Sequence, residues 1–258
     1  MIDSDFEFSY HGKNGGCPLT FCSAKDDGKL IMGGTCGLVG VFTPDTNNIV
    51  LMKSQQFENY NVMVVKKLKA LETYYAFGTL KFGLHIAEIN IKKSQINQQN
   101  TFLRGKSIRD IYEYSVGKLI VCVSSSNELW LVDYLALTER RLVSTFGPPL
   151  TIRKIHDGFK KFDNLFLIRE KDWLCIFNRK FKYYTRILKI PSYMYQESKY
   201  PSNQYMQLLP NDTTEDIEFL MIWGRQGRKV AKLRVAESLM RFLDNYDPRP
   251  DPCAGSLI

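Results

Sequence analysis

The sequence predicts an all-β fold, namely a β-propeller built of four-stranded antiparallel blades. The first observation is a repeat of an apolar run, a short polar or glycine turn and a second apolar run. The large residues that close the copies are Phe42, Ile89, Val132 and Phe177, which are 47, 43 and 45 residues apart. A period of this length with about four strands per unit is typical of a propeller blade. The second observation is the turns, whose Asp, Asn, Gly and Pro residues suit tight hairpins.

The N-terminal segment, residues 1–17, carries little periodicity and contains several glycines. Within it, Phe6–Tyr10 alternates apolar and polar side chains as a strand does. We interpret these five residues as a short strand and as a candidate for completing the last blade and closing the ring. The blades themselves are predicted over residues 18–235.

Four copies of the repeat each supply the strands of one blade. The first blade has predicted strands at 19–24, 29–34, 38–43 and 48–53. The second has strands at 62–68, 73–79 and 84–92, and its polar Gln/Asn stretch at 96–100 is predicted to be a loop. The third has strands at 108–114, 119–124, 128–133 and 141–145. The fourth repeats this rhythm from 152 to 190, with its outer strand at 182–190.

The rhythm breaks after the fourth copy. Residues 191–204 are rich in Tyr, Ser and Pro, which predicts an inserted loop. A weaker fifth copy follows, with strands at 205–209, 217–223 and 229–235. In the last segment, 236–258, Leu239, Phe242 and Leu243 have helical spacing and predict a short amphipathic helix. The prolines from 247 to 252 predict an extended tail.

The number of copies leaves three architectures open. Four good copies and one weak copy fit a five-bladed ring that closes within the chain. They also fit part of a larger propeller that another chain completes, because an open arc would leave a strand edge in water. A pair of β-sandwich domains is the third possibility.

The third and fourth blades resemble WD40 repeats, in which the third strand ends in a Trp-Asp pair. The pairs at that place in this chain are Phe42-Thr43, Ile89-Asn90, Val132-Asp133 and Phe177-Asn178. Asp133 alone keeps the acidic residue, no copy keeps the Trp, and the Gly-His pair that opens the family's repeats is missing. The resemblance covers residues 18–235 and implies a WD40-like propeller.

The charge balance favours an anionic partner. The chain has 258 residues and a net charge of +8, from 35 basic and 27 acidic residues. Such a balance favours acidic protein surfaces, anionic lipid or nucleic acid. Because the charges are spread along the chain and never form a block, a solvated surface without a binding role is the plainer interpretation.

The sequence contains no signature of an active site, a cofactor site or a metal site. Its histidines are His11, His85 and His156, and none lies in a motif such as G-x-S-x-G. The six cysteines form no CxxC pair, and Cys122 and Cys175 lie in apolar strands where cysteine is usually a buried small side chain. We therefore expect a protein that is not an enzyme and that binds no metal or cofactor.

Two segments are candidates for binding. Phe102-Leu-Arg-Gly105 resembles the Phe-Arg-Arg-Gly signature of phosphoinositide-binding propellers, with Leu103 in place of the first arginine. The candidate anion-binding residues are Arg104, Lys106 and Arg109. The second segment is the Tyr-rich insertion, because loops on a rigid scaffold carry recognition. Its candidate residues are Tyr193, Tyr195 and Tyr200.

These observations predict a non-catalytic scaffold whose loops hold protein partners in a larger complex. The alternative is a peripheral binder of phosphoinositide membranes or nucleic acid that uses the basic loops. The N-terminus is acidic where a signal peptide would be basic and then apolar, and no apolar run approaches the ~18 residues of a membrane span. The expected location is therefore the cytoplasm or the nucleus.

Overall fold

The computed structural model describes residues 9–10, 19–20, 24–26, 29–34, 38–43, 48–53, 61–93, 95–156, 161–190, 205–209, 216–223 and 229–248. Over these residues the protein is all-β, with one helix, α1 (Glu237–Asn245). The chain divides into two compact units, residues 1–150 and 151–258. The sequence predicted no boundary at this point.

Among the described residues, four sheets contain four antiparallel strands each, and in every sheet the spatial order follows the order in the chain. A small sheet precedes them, β1 (Ser9–Tyr10) with β2 (Leu19–Thr20). Sheet 1 consists of β3 (Ala24–Asp26), β4 (Lys29–Gly33), β5 (Leu38–Thr43) and β6 (Asn48–Lys53). Sheet 2 consists of β7 (Asn61–Lys67), β8 (Tyr74–Leu80), β9 (Gly83–Asn90) and β10 (Gln95–Phe102). Sheet 3 consists of β11 (Ile108–Ser115), β12 (Lys118–Val123), β13 (Glu128–Asp133) and β14 (Thr138–Ser144).

The second unit contains the remaining sheets. Sheet 4 consists of β15 (Thr151–His156), β16 (Lys161–Arg169), β17 (Trp173–Asn178) and β18 (Tyr183–Lys189). Sheet 5 has three strands among the described residues, β19 (Tyr205–Leu209), β20 (Asp216–Trp223) and β21 (Lys229–Ala236). The helix α1 follows β21 directly.

In the first unit, sheet 2 buries both of its faces. One face packs on sheet 1, where Ile31 and Val41 meet Phe77 and Ile89. The other face packs on sheet 3, and the residues of that cluster include Val64, Ala76, Leu84, Ile86, Ile108, Leu119 and Val121. Because side chains alternate between the two faces of a strand, β8 and β9 are apolar at successive positions and bury both faces.

Gly78 allows sheets 2 and 3 to approach closely. A Cβ at this position would lie 2.6 Å from Cγ2 of Ile108 and closer still to Cγ1 of Val64. Real Cβ atoms do not approach other heavy atoms so closely, so any larger residue would push β8 away from β7 and β11. Gly78 therefore belongs to the packing of two sheets rather than to a turn.

In the second unit, sheet 4 and α1 form a single apolar cluster. Leu165, Leu167 and Ile176 of the sheet pack with Met240 and Leu243 of the helix. Each of these side chains is buried, and detachment of the helix would expose its apolar surface to water, which is unfavourable. The cluster therefore fixes α1 on β16.

The same sheet contains two buried charged residues with opposite surroundings. Arg169 at the end of β16 is 1% exposed, and within the described part of the chain its Nε, Nη1 and Nη2 have no hydrogen-bond partner. Glu170 is equally deep, but it accepts hydrogen bonds from Tyr184 Oη at 2.9 Å and from Arg186 Nη2 at 3.3 Å. Burial lowers the pKa of Arg169 to about 10, so the guanidinium still carries its charge at neutral pH.

The all-β class and the four-stranded antiparallel sheets predicted from the repeat are confirmed, as is the short helix after the last strand. The loop predicted at 96–100 is wrong, because these residues belong to β10, which pairs with β9 through a bulge between Gln98 and Asn100. An outer edge strand buries little surface, so its Gln and Asn side chains need no apolar alternation.

Two strand boundaries in the first and third sheets also differ from the prediction. The first strand of sheet 1 is Ala24–Asp26, whereas Leu19–Thr20 pairs with Ser9–Tyr10, part of the segment considered for ring closure. The last strand of sheet 3 begins at Thr138 rather than Arg141, because β14 pairs along the full length of β13. The inserted loop at 191–204 and the rest of 1–17 lie outside the described residues.

Candidate functional site

A polar residue at the end of the third strand closes the hairpin in three sheets. Asp133 Oδ1 accepts the N–H of Leu135 at 3.2 Å and of Ala136 at 2.9 Å. Asn90 Oδ1 accepts the N–H of Lys93 at 3.1 Å in the same way. These are the positions that resemble the Asp of the Trp-Asp pair, and in this chain they act as turn residues.

Asn178 fills this position in sheet 4 and has a second role. Its Oδ1 accepts the N–H groups of Lys180 and Phe181, at 3.0 and 3.2 Å. Its Nδ2 donates to the carbonyl oxygens of Leu243 at 2.8 Å and Asp244 at 3.2 Å. Because the last carbonyls of a helix have no partner within the helix, Asn178 joins the hairpin of sheet 4 to the C-terminal end of α1.

A surface groove of about 420 Å³ lies beside the end of β10. Its lining residues are Asn100, Thr101, Phe102, Leu103, Arg104, Leu137 and Glu139. We call it the Arg104 groove. It brings the segment that sequence analysis selected, Phe102–Arg104, against the start of β14. Glu139 holds the two sides of the groove together, because its Oε2 accepts a hydrogen bond from the N–H of Leu103 at 2.7 Å.

Two leucines of the groove have left-handed backbone conformations. Leu103 has φ of 51° and is buried, and Leu137 has φ of 55° and is 59% exposed. Non-glycine residues adopt this region at a cost of about 1–2 kcal/mol, and Lys182 adopts it at the same place in the hairpin of sheet 4, with φ of 54°. For Leu137 the burial of its side chain offers little compensation.

The three predicted anion-binding residues have different surroundings. Arg104 is exposed and shares the groove with Glu139. Lys106 Nζ lies 3.1 Å from Glu128 Oε2 and 4.8 Å from the centre of the Trp130 ring. Arg109 is half-buried in β11, and burial lowers the pKa of its guanidinium. An acidic side chain therefore accompanies two of the three cations.

Glu128 is the centre of a surface polar network. Desolvation raises the pKa of its carboxyl, but hydrogen bonds from Ser126, Trp130 and Lys106 outweigh that effect and lower the pKa to about 2. Arg141 Nη1 also lies 3.3 Å from Glu128 Oε1. Lys106 and Arg141 therefore share one carboxylate, and these three side chains together keep one net positive charge.

The candidate residues of the insertion, Tyr193, Tyr195 and Tyr200, lie outside the described residues, as does His11. His156 ends β15. Cys122 and Cys175 are fully buried, as their strands predicted. Burial raises the pKa of the Cys175 thiol to about 12, so this thiol stays protonated and unreactive at neutral pH.

His85 is 2% exposed in β9, and its Nδ1 lies 3.3 Å from Thr101 Oγ1. Burial lowers the pKa of His85 to about 4; a backbone hydrogen bond at Phe82 raises it, and the charge of Arg104 lowers it further. Because the unfolded chain takes up the proton near the ordinary pKa of 6.5, protonation stabilises the unfolded state as pH falls from 6.5 to 4.

We therefore expect the free energy of unfolding to fall by about 2 kcal/mol between pH 7.5 and pH 5 through this one group. Urea unfolding at both pH values measures the loss, and it should be absent in His85→Gln. His11→Gln serves as the control and should keep the wild-type loss. An unchanged pH dependence in His85→Gln would contradict the assignment.

A second exposed surface lies in the second unit, on α1 and the adjacent start of β18. It consists of Tyr183, Leu239, Phe242 and Tyr246, and we call it the α1 aromatic surface. The Phe242 and Tyr246 rings stack with centres 5.1 Å apart, and Tyr183 meets Tyr246 edge-on at 5.4 Å. Phe242 is nevertheless 58% exposed, and Leu239 and Tyr246 are also exposed.

The roles of Leu137 and of the α1 aromatic surface were not predicted from the sequence. The spacing of Leu239, Phe242 and Leu243 predicted a short amphipathic helix. In the structure Met240 and Leu243 pack inward, whereas Leu239 and Phe242 face water. Leu239, Met240, Phe242 and Leu243 lie on one broad apolar face of the helix, and only its Met240–Leu243 side packs inward. The breadth of this face was the available signal in the sequence.

Within the described residues, no group of three or more His, Cys, Asp or Glu side chains is placed to hold a metal ion. The one helix in the same residues is too short to cross a membrane.

Comparison with known proteins identifies no family. No protein-family model matches the chain, and no curated protein matches it. Among solved structures, the chain is similar to the computationally designed protein Ika8, with a TM-score of 0.46 and 10% sequence identity. The similarity covers 82% of this chain and 60% of Ika8, so the chain spans less than two thirds of that protein.

Proposed function

We propose that the protein is a non-catalytic interaction module, a WD40-like propeller that presents surface loops to protein partners in a larger assembly. The observation that carries the proposal is Leu137, an exposed leucine in a left-handed conformation at the Arg104 groove. Glycine or asparagine would adopt this conformation at lower cost. Lys182 has the same conformation at the same place in the hairpin of sheet 4, so the turn sets the backbone of Leu137, and its exposed apolar side chain is what favours contact with a partner.

The WD40-like part of the proposal is supported by the strand order and by the turns. Each four-stranded sheet is a run of consecutive antiparallel strands. Asn90, Asp133 and Asn178 close the third hairpin of their sheets at the place of the family's Trp-Asp pair. These features support blades, and the number of blades stays a prediction.

The alternative is a peripheral binder of anionic lipid or nucleic acid, and the net charge of +8 favours it. The charges of the Phe102–Arg109 segment favour it less. Lys106 shares the carboxylate of Glu128 with Arg141, and Arg104 lies in the same groove as Glu139. An exposed leucine among basic and acidic side chains suits a protein surface better than a row of phosphates.

The test is affinity capture with the purified protein, at low and at high salt, of wild type and of Leu137→Gly. The glycine variant relieves the backbone strain, so we expect its free energy of unfolding to rise by about 0.5–1 kcal/mol. We expect it to lose at least tenfold in partner capture, because the apolar contact is gone. Val116→Ser, which alters a residue 61% exposed on another hairpin, is the matched control and should keep capture.

Proteins retained at high salt by wild type and lost in Leu137→Gly would support the proposal. Equal capture of partner proteins by wild type and by Leu137→Gly would contradict a role of the Arg104 groove in binding. Binding to phosphoinositide vesicles that disappears as salt rises, together with no protein retained at high salt, would favour the alternative.

A further inference from the structure

Sheet 4 contains a buried cation that no described residue neutralises. The side chain of Arg169 is buried, and its three nitrogens have no hydrogen-bond partner among the described residues. Burial is the cause that lowers its pKa to about 10, so the guanidinium is charged at neutral pH. A buried polar group that stays unsatisfied in a native protein requires an explanation, and a bound ion is one of the few available.

The acidic residues next to Arg169 along the chain do not serve as its counter-ion. Glu170 accepts hydrogen bonds from Tyr184 at 2.9 Å and from Arg186 at 3.3 Å, and none from Arg169. Asp172 lies in the turn to β17, and its buried Oδ1 has no partner within the described residues either. The charge of Arg169 is therefore open to an anion from outside the described part of the chain.

The surroundings of the guanidinium favour a carboxylate. Thr151 of β15 and Leu174 of β17 lie opposite Arg169, so the three side chains share one face of the sheet. The hydroxyl of Thr151 supplies a further hydrogen-bond donor, and Leu174 supplies an apolar wall. The planar fork of the guanidinium matches the two oxygens of a carboxylate. A carboxylate also carries the single negative charge that one arginine neutralises.

A phosphate group fits this charge balance less well. It carries a charge of about −1.5 to −2 at pH 7, so a buried phosphate needs a second cation. Arg153 lies on the same face of the sheet, two residues along β15 from Thr151. Its Nη1, however, already donates to the carbonyl oxygen of Ile152 at 2.7 Å. The ligand class that this face favours is thus a monoanion.

We propose that Arg169 binds a carboxylate, to which its guanidinium donates two hydrogen bonds and the hydroxyl of Thr151 a third. The ligand enters at the end of sheet 4, where β16 turns into β17 and Lys171 is exposed. Its carboxylate comes from a small organic acid or from an acidic side chain of a partner protein. Such a role would explain why the chain keeps a residue that costs stability in the ligand-free protein.

The direct test is an NMR titration of the isotope-labelled full chain with sodium acetate, with sodium chloride at equal ionic strength as the control. The guanidinium signal that is absent from Arg169→Met belongs to Arg169, since this variant is expected to fold. We expect acetate to shift that signal in a saturable way and chloride to leave it in place. Sodium phosphate should shift it only at concentrations at least tenfold higher than acetate.

Urea unfolding supplies a second readout, because a ligand that binds the folded state stabilises it. Acetate at ten times its dissociation constant should raise the folding equilibrium constant of wild type about tenfold. It should leave the constant of Arg169→Met unchanged relative to chloride. Arg169→Lys keeps the charge without the planar fork, so we expect at least tenfold weaker binding and a rise of no more than about twofold.

Affinity capture with Arg169→Met identifies the source of the carboxylate. Loss of the captured proteins, which acetate also displaces from wild type, would assign it to an acidic side chain of the partner. Unchanged capture together with acetate binding would assign it to a small organic acid. The inference does not rest on the proposed function, so Leu137→Gly should bind acetate as wild type does. Failure of the Arg104 groove and failure of this site are therefore distinguishable.

Three results would overturn the inference. The first is acetate that shifts the Arg169 signal no more than chloride does, or that stabilises wild type and Arg169→Met equally. The second is phosphate that binds more tightly than acetate, which would assign the face to a dianion. The third is a counter-ion within the chain: Asp172→Asn that shifts the Arg169 signal and lowers stability as much as Arg169→Met does.

Discussion

Replacing Arg169 by methionine is expected to raise the free energy of unfolding by about 1–4 kcal/mol. Arg169 is 1% exposed, and none of its three side-chain nitrogens has a hydrogen-bond partner among the residues that the structure describes. A buried charge without a partner loses its hydration and gains nothing in exchange. Methionine keeps a similar length and fills the space with an apolar side chain.

The matched control is Arg186→Met in the same sheet, for which the opposite sign is expected. Arg186 Nη2 lies 3.3 Å from Oε2 of Glu170, which is buried. Removing the arginine takes a cation away from that buried carboxylate, and we expect a loss of about 2 kcal/mol, because Arg186 itself is partly exposed. Urea unfolding of the two variants at pH 7 measures both changes. Loss of stability in Arg169→Met would show that the chain pairs this guanidinium after all.

The second large effect is expected from Asn178→Asp, which should lower the free energy of unfolding by about 2–4 kcal/mol. Aspartate keeps the oxygen that accepts the N–H groups of Lys180 and Phe181. It replaces the Nδ2 donor by a carboxylate oxygen, which faces the carbonyl of Leu243 from 2.8 Å. The hairpin is therefore kept, and the attachment of α1 is lost.

Asp133→Asn is the reciprocal change and should alter stability by less than about 0.5 kcal/mol. The side chain uses one oxygen for its hairpin, and its other oxygen lies 3.9 Å from Lys118 Nζ, a weak surface pair. Hydrogen exchange localises the effect: amides of α1 should lose protection in Asn178→Asp before those of β17 do. If the amides of α1 and β17 lost protection equally, this result would contradict separate roles for Oδ1 and Nδ2 of Asn178.

The repeat predicted the sheets because hairpins depend on local chemistry, namely alternating apolar residues and turn formers in the same few positions. The repeat did not predict the edge strand β10, because Gln and Asn at an exposed edge carry no apolar period. It did not predict the boundary at residue 150 either, because the division into two compact units depends on contacts between sheets, which the period of a single blade does not encode.

The candidate site was predictable only in part. The Phe102–Arg104 segment was found from a short motif, and it does line a groove. The partners of its charges were not predictable, because Glu128 and Glu139 reach Lys106 and Leu103 from strands 22 and 36 residues away. The left-handed conformation of Leu137 could not be predicted from the sequence, because leucine is not a residue that favours such a turn position.

The order of the strands has a consequence for how the chain folds. In each four-stranded sheet every strand pairs with its neighbour in the sequence, so the pairing closes short loops and costs little chain entropy. Such local topology favours faster folding than all-β proteins with long-range strand pairing achieve. Synthesis proceeds from the N-terminus, so we expect the sheets of residues 1–150 to form on the ribosome while the second unit is still being translated.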